Sequence, residues 1–475
     1  MNPSMPRIVF AFLLTLICGA ATIAQTEKIS ASEGKAYRSE RGGWTFVHLE
    51  GTPSEVGYQH GRLLSAEIED TFSVFHLEMT HSTKRDWEFF RKAAKDMLWP
   101  HIDAEYQQEL QGITKGIQSK GVKLDLWDVV AMNAALELPD YYVPWVNKRE
   151  HAMNAPHLSA PGNCSAFIAT GSYTKGGKIV IAHNNWSSYA QGARWTVMFD
   201  IQPASGHRIL MDGLPGFISS DDDFGVNDAG IMITETTITQ FIGWDPDGIP
   251  EFVRARRAMQ YSSSIDDYVA IMEKGNNGGY ANDWLVGDRK TGEVAYLELG
   301  LKNTPLWRTK DGYYISSNFA RDKKLIADET EDFNIDDLSQ SPNARRITAN
   351  KMIEGAKGQI DVELAEKFLS DHVDSYTGKV DPDERSLCGH IDKSPRGVKV
   401  WDDPAYYPDG AVTGKVTDSD LAGKMSLIGH AGHPCGEDFL AAPFLKEHPE
   451  FEYLRPILKD MKSGPWTTFV SGEGK

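Results

Sequence analysis

The sequence predicts an α+β protein. Apolar residues recur at helical spacing between about 62 and 138. A paired-glycine turn, Gly176-Gly177, joins two short apolar runs between 165 and 182. Further strand and turn patterns follow as far as Phe319, interrupted by helix starts at Pro250 and Ile265.

With 475 residues the chain can bury one large core or two. Its net charge of -18 makes nucleic acid an unsuitable partner, because phosphate attraction needs basic patches. Residues 1–24 read as a secretory signal: Arg7 is the basic flank, 8–24 is apolar, and Thr22-Ile23-Ala24 offers small residues for cleavage. An uncleaved anchor is the alternative. Cys18 lacks the preceding small residues of a lipoprotein site. The expected location is periplasmic or extracellular.

Taken in order, 44–49 alternates as a strand, and Thr52-Pro53 with Glu55 starts a helix. Gly57 and Gly61, one turn apart, permit close backbone packing. Phe89, Phe90, Ala93, Met97 and Leu98 mark one helical stripe, and Leu110, Ile113, Ile117 and Val122 another. His76, Glu78 and His81 lack zinc-protease spacing and read as helix surface. Residues 139–162 read as a loop.

The hairpin that follows places Cys164 at the mouth of one strand and His183-Asn184-Asn185 at the far end of its partner. Strands are expected over 195–201 and 208–212, and again after the turn 225–230. The acids at 221–223 read as a loop cap, with calcium as the alternative. Later strands are 282–288, 293–299 and 313–319, the last ending in Asn318-Phe319. Residues 321–340 read as an acidic surface loop, Ser341 opens a helix, and 380–412 are irregular.

A Cys that opens a strand, a hairpin, and then His183-Asn184-Asn185-Trp186-Ser187-Ser188-Tyr189 resembles the N-terminal-nucleophile (Ntn) hydrolases, and the phospholipase B-like group in particular. Glu235-Thr236-Thr237-Ile238 and Tyr280-x-Asn282-x-Trp284 are similar to the same group. The segment from Gly51-Thr52-Pro53 through Gly57 and Gly61, and Gly225-x-Asn227-x-x-Gly230, resemble the penicillin acyltransferase-type cysteine peptidases. This resemblance implies a four-layer αββα sandwich. It also implies self-cleavage of the Asn163–Cys164 bond, dividing a helical N-terminal segment (25–163) from a catalytic chain (164–475) with which it stays associated.

The chemistry needs that cut. A thiol is mostly protonated near neutrality and requires a base, and a freed α-amine, with a pKa of about 7.7–8.0, can serve. The resemblance casts Cys164 as nucleophile and Asn282 as an oxyanion donor. His183, Asn184, Asn185, Thr237, Asn318 and Arg345 would support the amine or the substrate, with Arg346 the alternative to Arg345. The relatives often carry Asp after Asn-Trp; Ser187 stands there instead, which puts a carboxylate-based proton network in doubt. The implied substrate is a small acylated amide or peptide, with a lipid ester as the alternative. A catalytically inert binding protein of the same fold is the rival from another class. The sequons at Asn163 and Asn185 fall inside this site, where glycosylation would obstruct it.

Signal removal leaves Cys164, Cys388 and Cys435. In an oxidising compartment the economical expectation is a Cys388–Cys435 disulfide and a free Cys164. His430 and His433 beside Cys435 have metal-ligand character but no recognised spacing, so no metal and no cofactor are expected.

Overall fold

The computed structural model describes residues 26–28, 35–151, 164–222 and 224–472. The expected signal segment with Cys18, Asn163 of the expected cleavage bond, and Asp223 lie outside the described residues. No helix among the described residues is long and apolar enough to cross a membrane.

Two sheets lie face to face. The six-stranded sheet runs Gly312–Ser316, Cys164–Gly171, Gly177–Ser188, Asp409–Asp418, Ser426–Ala431, Thr467–Val470, antiparallel throughout. The ten-stranded sheet begins with Thr26–Lys28, Tyr37–Arg41 and Trp44–Gly51 and continues through Val197–Pro203 to Leu306–Thr309. Its one parallel pair joins Trp44–Gly51 to Val197–Pro203. The N-terminal segment is therefore not purely helical, since it supplies one edge of this sheet.

Alternation along the strands explains the layers. Ala166, Ile168, Ile179 and Ile181 meet Met198, Leu210, Met232 and Leu285 between the sheets. Phe167, Ala169, Val180 and Ala182 point the other way, under helices Ser341–Gly355 and Val362–Leu369. Ile231, Ile233, Trp284 and Val286 on the ten-stranded sheet pack outward against the N-terminal helices and Glu251–Tyr261. The result is the αββα sandwich.

The expected N-terminal helix is Pro53–Leu63, and Thr52 and Glu55 close a reciprocal capping box. It packs on Ala104–Gln118 so closely that a Cβ on Gly57 would stand 1.9 Å from Glu109 O, and one on Gly61 2.1 Å from Ile113 O.

Three segments differ from expectation. Residues 139–149, read as loop, form a π-turn, Leu138–Tyr142, and a helix, Val143–Arg149. Pro139 and Pro144 fall in first turns, where a missing N–H costs nothing, and Leu138, Tyr141 and Val143 are buried. The acidic stretch after 320 contains helix Lys323–Glu329, because Asp322 caps it and Glu329 turns inward to accept from the Leu301 and Asn303 N–H groups. The strand at 313–319 closes at Ser316, and Asn318 takes φ +68°.

Candidate functional site

The glycine turn folds the two strands of the hairpin together. Gly176 and Gly177 take φ of +78° and +75°, a region open to glycine without steric cost, and a one-residue register shift between Ala169 and Gly171 then brings Cys164 opposite Asn185 and Ala166 opposite His183. Cys164 is 1% exposed. Its thiol, the His183 ring and the Glu235 carboxylate offer atoms all within 4.8 Å of one another. Burial, reinforced by the Glu235 charge, pushes the thiol well above its ordinary value. In the intact chain Cys164 is thus a protonated thiol.

The Cys164 backbone is held firmly. Its N–H donates to Asn318 Oδ1 at 3.0 Å. Asn318 is fixed in turn: its N–H donates to Thr236 Oγ1 at 3.1 Å and its Nδ2 to the Thr237 carbonyl at 3.0 Å. The left-handed backbone at Asn318, which Asn tolerates better than most residues, turns the side chain to this position.

Of the two candidate arginines, Arg345 enters the site. It donates to the Cys164 carbonyl, to Ser165 Oγ at 2.9 Å and to Asn318 Oδ1 at 2.9 Å. Its guanidinium lies 4.4 Å from the Trp186 ring centroid, and burial lowers its pKa to about 9. Arg346 instead donates to the Ile335 carbonyl and stands over Phe319.

Asn282 is fully buried and pairs in register with Thr237. Neither atom of its amide has a hydrogen-bond partner among the described residues, nor has Thr237 Oγ1 or Asn185 Nδ2. Buried donors left unmade cost about 1–3 kcal/mol each, so such a concentration at one place marks a site awaiting a ligand more than a stable core.

Asn184 departs from expectation. Its Nδ2 donates to the Leu369 and Leu387 carbonyls at 2.7 and 2.9 Å, on the opposite face of the strand from Cys164. Adjacent strand residues point to opposite faces, so Asn184 supports the outer layer while Asn185 and His183 face inward.

Several participants escaped the sequence reading. Lys415, fully buried, stands opposite His183 in register and pairs with Asp212 at 2.9 Å and with Asp222. Burial holds the His183 imidazole well below its ordinary pKa, and the Lys415 ammonium adds to this, so His183 is neutral. Ser316 Oγ bridges Thr236 and Asp283, tying the strands beneath Asn318 together. Asp222 meets Lys415 and Ser220, and Asp221 meets Ser219. Glu235 and Asp222 are the carboxylates of this site; they arrive from the facing sheet and its loop, whereas the position after Asn-Trp carries none.

Cys388 and Cys435 come together as expected, but as free thiols with no disulfide between them. Each sulfur faces His390 Nε2, at 3.8 and 3.6 Å, and His372 completes the group. His430 packs on Trp466, and His433 Nδ1 faces the Ala411 carbonyl; neither joins the cluster.

The sequence profile of the Phospholipase B family matches residues 65–297, just under half of the chain and across the whole Cys164 hairpin. Phospholipase B-like protein C of Dictyostelium discoideum is 26% identical over 213 residues, 41% of this chain and 37% of that protein. Bovine phospholipase B-like 1 (Bos taurus) is 24% identical over 264 residues, 50% of this chain and 48% of that one. Over these stretches the chain is similar to the phospholipase B-like proteins. A protein of Archaeoglobus fulgidus is 24% identical over 306 residues, 60% of this chain and 48% of its own length. The chain therefore spans about half the length of these family relatives, or less. A conjugated bile acid hydrolase from Clostridium perfringens aligns over 56% of this chain and 89% of its own, at TM-score 0.34 and 12% identity.

Proposed function

We propose that the protein is an exported, self-processing cysteine hydrolase of the Ntn type that cleaves acylated amides through an acyl-enzyme on Cys164. The observation that carries this is the grip on the Cys164 backbone N–H. It donates to Asn318 Oδ1, which also receives the Arg345 guanidinium. Any buried backbone N–H needs an acceptor, but here the acceptor is a side chain itself braced by a buried cation. An α-amine would gain from both: the acceptor orients it, and the adjacent positive charge favours its neutral, basic form.

In the maturation step the Cys164 sulfur attacks the Asn163 carbonyl carbon. The acyl group passes from nitrogen to sulfur, and water then cleaves the thioester, leaving the Asn163 carboxylate and a free Cys164 amine. In turnover the amine accepts the thiol proton, directly or through water, as sulfur attacks the substrate carbonyl. The oxyanion forms where unpartnered donors are available, at the Asn282 and Asn185 amides. The amine returns its proton to the leaving nitrogen, and water releases the acyl group.

The family name also suggests lipid esters, which the same nucleophile would attack. A site resemblance does not choose between them.

The test is denaturing electrophoresis with N-terminal sequencing of the wild type and Cys164→Ala, across neutral and acid pH. Two fragments, the larger beginning at Cys164 and absent from the variant, are expected. An intact wild-type chain under all conditions would sink the mechanism and favour the inert binding protein. Competition between an N-acyl amino acid and a lysophospholipid for cleaved enzyme then separates amide from ester.

A further inference from the structure

The second cysteine site answers to a different chemistry. We infer that His372, Cys388, His390 and Cys435 form a structural zinc site. The four side chains come from three segments: the loop after helix Val362–Leu369, the loop at 386–390, and the glycine-rich turn after strand Ser426–Ala431. Their ligand atoms all lie within 4.8 Å of one another.

The geometry suits a shared ion better than hydrogen bonds. Both sulfurs converge on one nitrogen, His390 Nε2, at 3.8 and 3.6 Å. That nitrogen carries one proton or one lone pair and satisfies one partner. With Zn–S near 2.3 Å and Zn–N near 2.0–2.1 Å, tetrahedral coordination places sulfur and nitrogen ligands about 3.5–3.6 Å apart. The observed edges are close to that.

The surroundings support it. Cys388 and His390 are fully buried, whereas His372 and Cys435 are half-buried. A cleft of about 450 Å³, lined in part by His390, His433 and Glu437, gives entry from one side. Asp392 Oδ1, which accepts the Tyr189 hydroxyl at 2.6 Å, stands 3.9 Å from His390 Nδ1 and places a negative charge beside the ligating imidazole. Gly432 and Gly436, at φ +78° and +90°, bend the turn that presents Cys435.

Four protein ligands close the coordination sphere, which makes the site structural, not catalytic. What it would hold is specific. The Leu387 carbonyl, between the ligand loops, accepts from Asn184 Nδ2 and Trp186 Nε1. Gly389, between Cys388 and His390, presses so close that a Cβ there would stand 2.0 Å from the Trp186 ring. Trp186 lies under Arg345, which holds the Cys164 carbonyl. The ion would anchor the floor of the nucleophile hairpin. Each thiol gives up its proton on binding, and a zinc thiolate and a Cys388–Cys435 disulfide exclude one another.

The test is metal analysis of the full chain purified without chelator, followed by cobalt substitution. About one equivalent of zinc per chain is expected. The cobalt protein should show tetrahedral ligand-field bands and a sulfur-to-cobalt charge-transfer band. Cys388→Ser/Cys435→Ser should lose both; if that variant does not fold, His372→Gln, which keeps both thiols, should weaken zinc binding at least about tenfold. A chain that takes up no zinc under reducing conditions would overturn the site. So would a native Cys388–Cys435 disulfide, found by non-reducing peptide mapping, in metal-free protein. These readouts do not depend on turnover or on self-cleavage at Cys164.

Discussion

Two sulfur sites sit on opposite faces of one hairpin. Cys164 is a single thiol beside a carboxylate and a neutral imidazole, and its backbone is pinned by Asn318 and Arg345. Cys388 and Cys435 are a pair of thiols meeting two imidazoles, with no carboxylate or arginine among the four. Burial is common to both. What differs is the second partner: a carboxylate opposes ionisation of the nearby thiol, whereas paired imidazoles and thiols offer soft donors to a cation. A buried cysteine acquires its role from the group set against its sulfur, and that group usually comes from a distant part of the chain.

The largest expected effect breaks the first site alone. Cys164→Ala should abolish self-cleavage and lower turnover by at least about a thousandfold, with zinc content unchanged. Loss of zinc in this variant would show that the two sites are not independent. Next, Asn282→Ala introduced into cleaved enzyme should lower kcat about 10²–10³-fold with little change in KM, the signature of an oxyanion donor. A change confined to KM would assign Asn282 to substrate binding.

The third prediction concerns acidity. In uncleaved chain (the Asn163→Ala variant, if it remains whole) iodoacetamide should label Cys164 slowly at neutral pH, with a rate that climbs with pH and reaches no plateau at 9.0, the ordinary thiol value, because burial and Glu235 raise it further. Cleaved chain should label near neutrality, where the freed amine accepts the proton. Equal rates for both forms would remove the amine from the mechanism.

The smallest effect measures burial itself, away from either sulfur. Glu298, fully buried, is raised to about 7 by burial, with Asp283 next to it raised as well. A carboxyl raised in the folded state contributes stability below its unfolded value of 4.5 and loses that contribution as pH climbs through about 7. Glu298→Gln should flatten this fall, read by denaturant unfolding, while lowering stability at acid pH because only one of the two oxygens that accept from the Arg321 and Asp322 N–H groups remains. An unchanged pH profile would show that Glu298 ionises without penalty.

How much of this was legible follows the distance over which each signal acts. That Cys164 lies beside His183-Asn184-Asn185 could be read because the Gly176-Gly177 turn folds the two strands together locally, whereas its register opposite Asn185 depends on a shift between Ala169 and Gly171. The capped start at Thr52 and the close-packing glycines were legible for the same reason. The choice of Arg345 over Arg346 was not, since it depends on which face of the helix meets the sheet. The inward or outward sense of Asn184 likewise needed the second sheet. Glu235 and Lys415 reach the site from strands far along the chain, and the motif around Glu235 did not say that its carboxylate would face the Cys164 thiol. At the other site, counting cysteines predicted a Cys388–Cys435 disulfide, whereas the two are neighbouring free thiols, and no spacing rule pointed to His372 or His390 beside them.

The strand Trp44–Gly51 lies inside the ten-stranded sheet, between Tyr37–Arg41 and Val197–Pro203. Scission before Cys164 would therefore leave the severed N-terminal piece unable to depart without tearing a sheet apart. It would also change the order of the folding reaction. An intact chain folds as one molecule at a rate indifferent to concentration; a nicked one, once unfolded, must find its other half in dilute solution. The mature protein would hold its shape kinetically, as something assembled once, and its thermal unfolding would be irreversible.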